Sequence, residues 1–154
     1  MSATDAASVE ELDRLAAVID RWLAVQGSDN PMVLAIDRDV DGPRSWFVRL
    51  KGEEKDVSTV RFWLRQRTLV YETFFMPAPE ENHAALYEHL LRRNQKLFGA
   101  SFAIGEEDAI YLRGQLDHDL IGAAELDRVL GSLYQWVEQY FRPALRIGFA
   151  SKFS

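Results

Sequence analysis

VSTVRFWLRQRTLVYETFFM, residues 57 to 76, is the stretch that decides the fold. Val, Phe, Trp, Tyr and Thr dominate it, and these residue types suit a pleated, half-buried surface. It predicts two strands joined by a tight turn at Gln66-Arg67. A two-residue turn sets Leu64 opposite Leu69, Phe62 opposite Tyr71 and Val60 opposite Thr73. On the other face it sets Trp63 opposite Val70, Arg61 opposite Glu72 and Thr59 opposite Phe74. The Arg61–Glu72 pair supports this register, because opposite charges directly across a ladder attract. The turn itself lacks the Asn-Gly or Asp-Gly that favours a two-residue loop. Both faces carry large apolar groups. One face is expected to meet the chain's own helices. The other holds Trp63, Val70 and Phe74, joined by Trp46 of the preceding strand, and is expected to be covered by a second copy or a partner.

The 154 residues suit a single domain, with residues 1–7 as a frayed tail and the domain over 8–154. At that length a chain buries roughly 70% of its unfolded surface. The net charge of −6 argues against general nucleic-acid binding, which needs a basic surface. The chain has no cysteine, hence no disulfide framework and no thiolate nucleophile or metal site. A cytoplasmic location suits that composition. MSATDAAS lacks the basic and apolar regions of a signal peptide, and no run of eighteen apolar residues spans a membrane.

Upstream of the hairpin, Ser8 and Glu11 have capping-box spacing. Val9, Leu12, Leu15, Ala16, Ile19, Trp22 and Leu23 then recur at helical spacing, with Gly27 as the expected stop. Met32 to Asp37 reads as a strand with Met32, Leu34 and Ile36 on one face. Ser45 to Leu50 reads as the next, with Trp46, Val48 and Leu50 against Phe47 and Arg49. Downstream, Pro77 and Pro79 end the sheet. A helix is expected from about Glu80 to Phe98, with Leu86, Leu90 and Leu97 on one row and Tyr87, Leu91 and Phe98 on the next. Gly99 caps it. A second hairpin follows, with Phe102 and Ile104 on one strand, Ile110 and Leu112 on the other, and Gly114 interrupting the second strand as a bend or a close backbone approach. The last helix is expected over Ala123 to Phe141, ended or kinked at Arg142-Pro143. Leu145, Ile147, Phe149 and Phe153 form an apolar tail, packed across the domain or onto a neighbour. The order α-ββββ-α-ββ-α defines an α+β fold, with helices laid on an antiparallel sheet.

Few residues suggest chemistry. Asp37, Asp39 and Asp41 before Gly42 match the start of a calcium loop, but the twelfth position is Val48 instead of a bidentate Glu, and the flanks read as strands. A solvated acidic turn is the favoured reading. Asn94 lies on an apolar helix stripe, so its amide needs partners; a tie to a neighbouring backbone is favoured over a ligand contact. Arg92, Arg93 and Lys96 form a small basic patch. His118 stands between Asp117 and Asp119, yet His83 and His89, the remaining histidines, are not spaced to share a metal. No phosphate loop, dinucleotide turn or nucleophile elbow occurs. No cofactor is expected. An enzyme or small-ligand protein with a site near Asn94 or His118 is the alternative to a protein-binding module.

Four phrases carry a family resemblance: YETFFMPAPEEN (71–82), LLRRN (90–94), FAIGEEDAIYLRGQL (102–116) and ELDRVLGSLYQWVEQYFRPALRIGFASKF (125–153). With them the chain, from about Val33 to its end, resembles the YbjN-domain proteins of actinobacteria. The resemblance implies a fold similar to type III secretion chaperones of the Tir-chaperone type, usually dimeric, and a label of sensory transduction regulator. It carries no catalytic or ligand residues. The expected function is a non-enzymatic, chaperone-like or regulatory protein-binding module, homodimeric, acting through the exposed sheet surface.

Overall fold

The computed structural model describes residues 6–39, 42 and 44–153. Its elements are α1 (Val9–Asp29), β1 (Val33–Arg38), β2 (Ser45–Lys51), β3 (Val57–Leu64), β4 (Thr68–Met76), α2 (His83–Asn94), β5 (Ser101–Ile104), β6 (Ile110–Asp117) and α3 (Ala123–Gly148), in the expected order. The six strands form one antiparallel sheet, ordered β1-β2-β3-β4-β6-β5. In β3–β4 the pairs are Val60–Thr73, Arg61–Glu72, Phe62–Tyr71, Trp63–Val70 and Leu64–Leu69, the register the charge pair predicts. Arg65 N–H donates to Thr68 O (2.8 Å), closing the turn around Gln66 and Arg67.

The helices bury one face of this sheet. Leu12, Leu15, Ile19, Trp22 and Leu23 of α1 and Leu126, Val129, Leu133 and Val137 of α3 join Trp46, Phe62, Tyr71, Phe75 and Leu112 in one core. Trp22 meets Phe62 edge-on at 5.7 Å. Two buried indoles are anchored by carboxylates: Trp46 Nε1 donates to Asp20 Oδ1 and Trp22 Nε1 to Asp127 Oδ1, each at 2.8 Å. These bonds satisfy the polar edge of each ring, which is otherwise costly to bury.

Several boundaries differ from expectation, each for a local reason. Helix α1 runs through Gly27 to Asp29; a Cβ at Gly27 would lie 3.3 Å from Ile36 Cδ1, so the missing side chain admits β1. Strand β1 does not alternate simply. A register shift between Val33 and Ala35 leaves Leu34 outside the ladder and exposed, while Val33 and Ile36 pack on the core. Helix α2 is shorter than expected at both ends. The N–H groups of Glu80 and Glu81 donate to Gly148 O instead of starting a helix, and Asn82 takes φ 55°. At the other end Asn94 turns its side chain to β5. Helix α3 continues through Pro143 to Gly148. A proline there costs about 3 kcal/mol in an isolated helix, and burial of Tyr140, Ala144 and Gly148 around it offsets that cost. The apolar tail therefore belongs largely to α3. Beyond it, Ser151 and Lys152 tie to Glu81 and Glu80, so Leu145 to Phe153 does not cover the outer face of the sheet. Ala7, at the end of the expected tail, is buried and donates its N–H to Gln66 O.

Strand β6 passes Gly114 unbroken. The glycine marks a close approach. A Cβ there would fall 1.9 Å from Gly99 O and 2.7 Å from the Tyr71 ring. Gly99 itself sits at φ +79°, and its carbonyl accepts the Tyr71 hydroxyl proton at 2.6 Å. Burial raises the Tyr71 phenol pKa, opposed by the adjacent Arg128 guanidinium.

Candidate protein-binding face

The other sheet face is built by the residues out of phase with the core. Register aligns Phe47, Arg61, Glu72 and Arg113 in one row across β2, β3, β4 and β6. Trp63 lies on one side of that row and Phe74 and Tyr111 on the other. The Trp63 ring is flanked by two guanidiniums, Arg61 at 4.3 Å and Arg113 at 5.4 Å from its centroid. Arg61 is steadied by a hydrogen bond from Nε to Ser45 Oγ (3.2 Å), and Arg113 faces Glu72 at 3.9 Å. Phe74 and Tyr111 meet edge-on at 5.7 Å. Between Trp63, Tyr111 and Arg113 the face dips into a hollow of about 320 Å³. Burial raises the Tyr111 phenol pKa, helped by the nearby Glu106, Glu72 and Glu107 carboxylates. At the margin, Lys55 Nζ donates to Val57 O and Phe74 O and stands 5.2 Å from the Phe74 ring. Burial lowers its pKa, partly opposed by Glu138. The Glu138 carboxylate in turn accepts the N–H groups of Glu53, Glu54 and Lys55, fixing that turn onto α3.

The expected surface residues do not all share this face. Trp63 is half-buried and Phe74 39% exposed. Val70 points outward but is only 2% exposed, set between its ladder partners Trp63 and Gln115. Trp46 is a correction: it is 1% exposed and faces the helices. Its row, Trp46, Val48 and Leu50, is wholly apolar, whereas the opposite row carries Arg49; that contrast is the signal for the inward side. Tyr111 and Arg113 were missed: their alternation with Ile110 and Leu112 marks them as outward, but their place beside Trp63 and Phe74 depends on β6 lying next to β4.

Asn94 closes the β5 edge. Phe102 N–H donates to its Oδ1 (2.7 Å), and its Nδ2 donates to Phe102 O (3.4 Å). The amide thus imitates the next strand and blocks pairing there, one of the ways sheets protect an edge. Replacing Asn94 with Leu is expected to cost about 2 kcal/mol by stranding both Phe102 groups. It also bares the edge, so light scattering should rise with concentration. Unchanged urea stability together with clear solutions would remove the edge-cap role.

His118 Nε2 lies 2.9 Å from Arg65 O at the β3–β4 turn. Six residues of β6 direction separate it from Leu112, the partner of Phe102, so it stands roughly 20 Å from the Asn94 contact. Asn94 and His118 do not converge on one site. Asp41 of the acidic turn lies outside the described residues. Among the described residues no group of three or more His, Asp or Glu side chains is placed to hold a metal, and no helix is long and apolar enough to cross a membrane.

A second concavity lies beside the sheet edge. Tyr87, Leu90 and Leu91 of α2 face Phe102, Ile104 and Ile110 across an apolar groove of about 430 Å³.

The fold is that of type III secretion chaperones. A chain of the HopA1–SchA chaperone–effector complex superposes with a TM-score of 0.60 at 11% identity, covering 89% of this chain and 98% of that one. The ExsC–ExsE complex gives 0.56 at 18%, covering 83% and 94%. The Yersinia pestis type III secretion chaperone SycH, in complex with a fragment of YscM2, gives 0.52 at 18%, covering 80% and 96%. At such identities the likeness shows the fold alone. The chain belongs to the YbjN family, described as "Putative bacterial sensory transduction regulator", whose pattern matches residues 12–146. An uncharacterized protein of Mycobacterium tuberculosis is 34% identical over 109 residues, 71% of this chain, and one of Mycobacterium leprae 33% identical over 111 residues, 72% of this chain. The chain spans 60% of the length of these curated relatives.

Proposed function

We propose that residues 8–154 form a non-enzymatic protein-binding module, chaperone-like or regulatory, that acts in the cytoplasm as a homodimer and receives a protein partner on the outer sheet face. The observation that carries this reading is the Trp63 shelf. A large indole held between two guanidiniums, with Phe74 and Tyr111 beside it, stands on the face opposite the helices. Aromatic and arginine side chains on a rigid ladder are the groups that dominate binding energy at protein interfaces. The similar chains support the reading, since they were solved with protein partners bound, and the family description of a regulator agrees with it.

The test uses the tagged full-length protein purified from its native host under gentle salt, with co-purifying proteins identified by mass spectrometry. A stoichiometric second protein is expected. Trp63→Ala and Phe74→Ala should each weaken its binding by about 2 kcal/mol or more, roughly thirtyfold, while leaving the fold intact by circular dichroism. A partner that both variants retain at wild-type strength places the binding surface elsewhere. Recovery of the protein alone overturns the partner reading.

A further inference from the structure

The outer sheet face is basic at its centre, although the chain carries a net charge of −6. On β2, β3 and β4 the outward positions hold Arg49, Lys51 and Arg61 against one carboxylate, Glu72; Asp37 and Asp117 lie on the flanking strands. Glu72 does not serve its ladder partner Arg61. Its carboxylate turns to Arg113 on β6, 3.9 Å away. Arg61 is held by its Nε bond to Ser45 Oγ and by the Trp63 ring. Among the described residues its terminal NH2 groups form no ion pair and no further hydrogen bond. A half-buried guanidinium is thus fixed in place without a counter-charge, on the lining of the hollow beside Trp63 and Tyr111. Arg113 is nearly as available, because a contact of 3.9 Å is too long for a hydrogen bond.

We propose that the partner segment received on this face is acidic: a stretch of chain mixing carboxylate and apolar side chains, with a carboxylate on Arg61 and Arg113 and its apolar neighbours against Trp63 and Phe74. This assignment rests on the binding-face reading above. A guanidinium offers paired N–H donors that match the two oxygens of a carboxylate, and such charge-assisted bonds are the strong ones. Both guanidiniums converge on the Trp63 ring, so an anion that meets them also meets an apolar floor. Charge complementarity therefore favours an acidic occupant at the centre of the face. It favours a mixed chain over a nucleic acid. A continuous run of phosphates would be carried onto Glu72 and onto Glu106 in the lining of the hollow, whereas separate carboxylates can step between them. Glu72 is the competing anion of the empty face, and the partner's carboxylate takes over its contact with Arg113.

Fluorescence anisotropy on the full chain tests this with dye-labelled peptides that share their Leu and Tyr positions and carry Glu, Gln or Lys between them. At low salt the Glu peptide is expected to bind about tenfold more tightly than the Gln peptide, and the Lys peptide most weakly. Arg61→Gln and Arg113→Gln should each weaken the Glu peptide about tenfold and leave the Gln peptide unchanged. Glu72→Gln should tighten the Glu peptide severalfold, since it removes a like charge and releases Arg113; a residue that only steadied the sheet would not improve binding. Trp63→Ala should weaken the Glu and Gln peptides alike. Glu and Gln peptides that bind equally, and are both lost on Trp63→Ala, overturn the acidic chemistry and leave the binding face standing. A Glu peptide that binds Trp63→Ala at wild-type strength, or a set of peptides none of which binds, overturns the face together with the chemistry. A single-stranded DNA oligonucleotide that displaces the Glu peptide at lower concentration than unlabelled Glu peptide assigns Arg61 to phosphate and overturns the proposal.

Discussion

Replacing Gly114 with alanine is expected to lower stability by about 3 kcal/mol or more, the upper range for forcing atoms into a packed site. The new methyl group would fall 1.9 Å from the Gly99 carbonyl oxygen, which is backbone and cannot rotate aside. Relief requires the 95–100 segment to lift off β6. That movement breaks the 2.6 Å bond from the Tyr71 hydroxyl to Gly99 O, and Tyr71 is buried at the centre of the sheet. For a chain of this size the loss corresponds to a fall in Tm of about 10 °C. Gly131→Ala is the matched control. It lies within α3, where a Cβ meets nothing within 4 Å, so it should raise stability by up to about 1 kcal/mol. Urea unfolding of both variants separates the two explanations. If Gly114→Ala melts with the wild type, the close approach at Gly99 does not hold the sheet.

The second large effect concerns two tryptophans seventeen positions apart. Trp46→Ala should cost about 3–5 kcal/mol, as is usual for deleting a fully buried aromatic. It empties the core beside α1 and leaves the Asp20 carboxylate without its indole donor. Trp63→Ala should cost no more than about 1 kcal/mol, because its ring is only half-buried and mainly supports two surface guanidiniums. Equilibrium unfolding gives both numbers. Equal losses at the two positions would mean that the outer shelf is part of the core. The expected contrast is large in stability and reversed in partner binding.

These two residues also show how far the chain could be read without coordinates. The β3–β4 register was legible because Arg61 and Glu72 admit one good pairing, and their charges sit mid-strand. The element order followed from periodicity and from the prolines at 77 and 79. Which side of β2 faces inward was harder, since Trp46 and Phe47 are both aromatic and adjacent. Arg49 decides it, but only when the whole row is compared. The extra residue at Leu34 has no local mark, because a shifted ladder depends on β2, eleven or more positions away. The late start of α2 depends on Gly148 O, more than sixty positions away, and no spacing rule reports it. The intrinsic cost of Pro143 predicts a stop or a kink, and tertiary burial carries the helix through to Gly148. The Trp63 shelf was legible only in part. Phe74 and Trp63 stand out as aromatic, whereas Arg113 and Tyr111 join them because β6, not β5, lies beside β4.

That strand order has a consequence during biosynthesis. Strands β1 to β4 are consecutive neighbours and can close as they emerge from the ribosome. The free side of β4, TLVYETFFM, then waits for a strand that begins only at Ile110. At usual elongation rates the delay is roughly 2–7 seconds. Throughout it, an aromatic, β-prone ladder without a proline or lysine stands open to other nascent chains. The interval between Met76 and Ile110 is therefore the vulnerable window for misassembly, and a chain stalled or cut within it should be far more aggregation-prone than the finished protein.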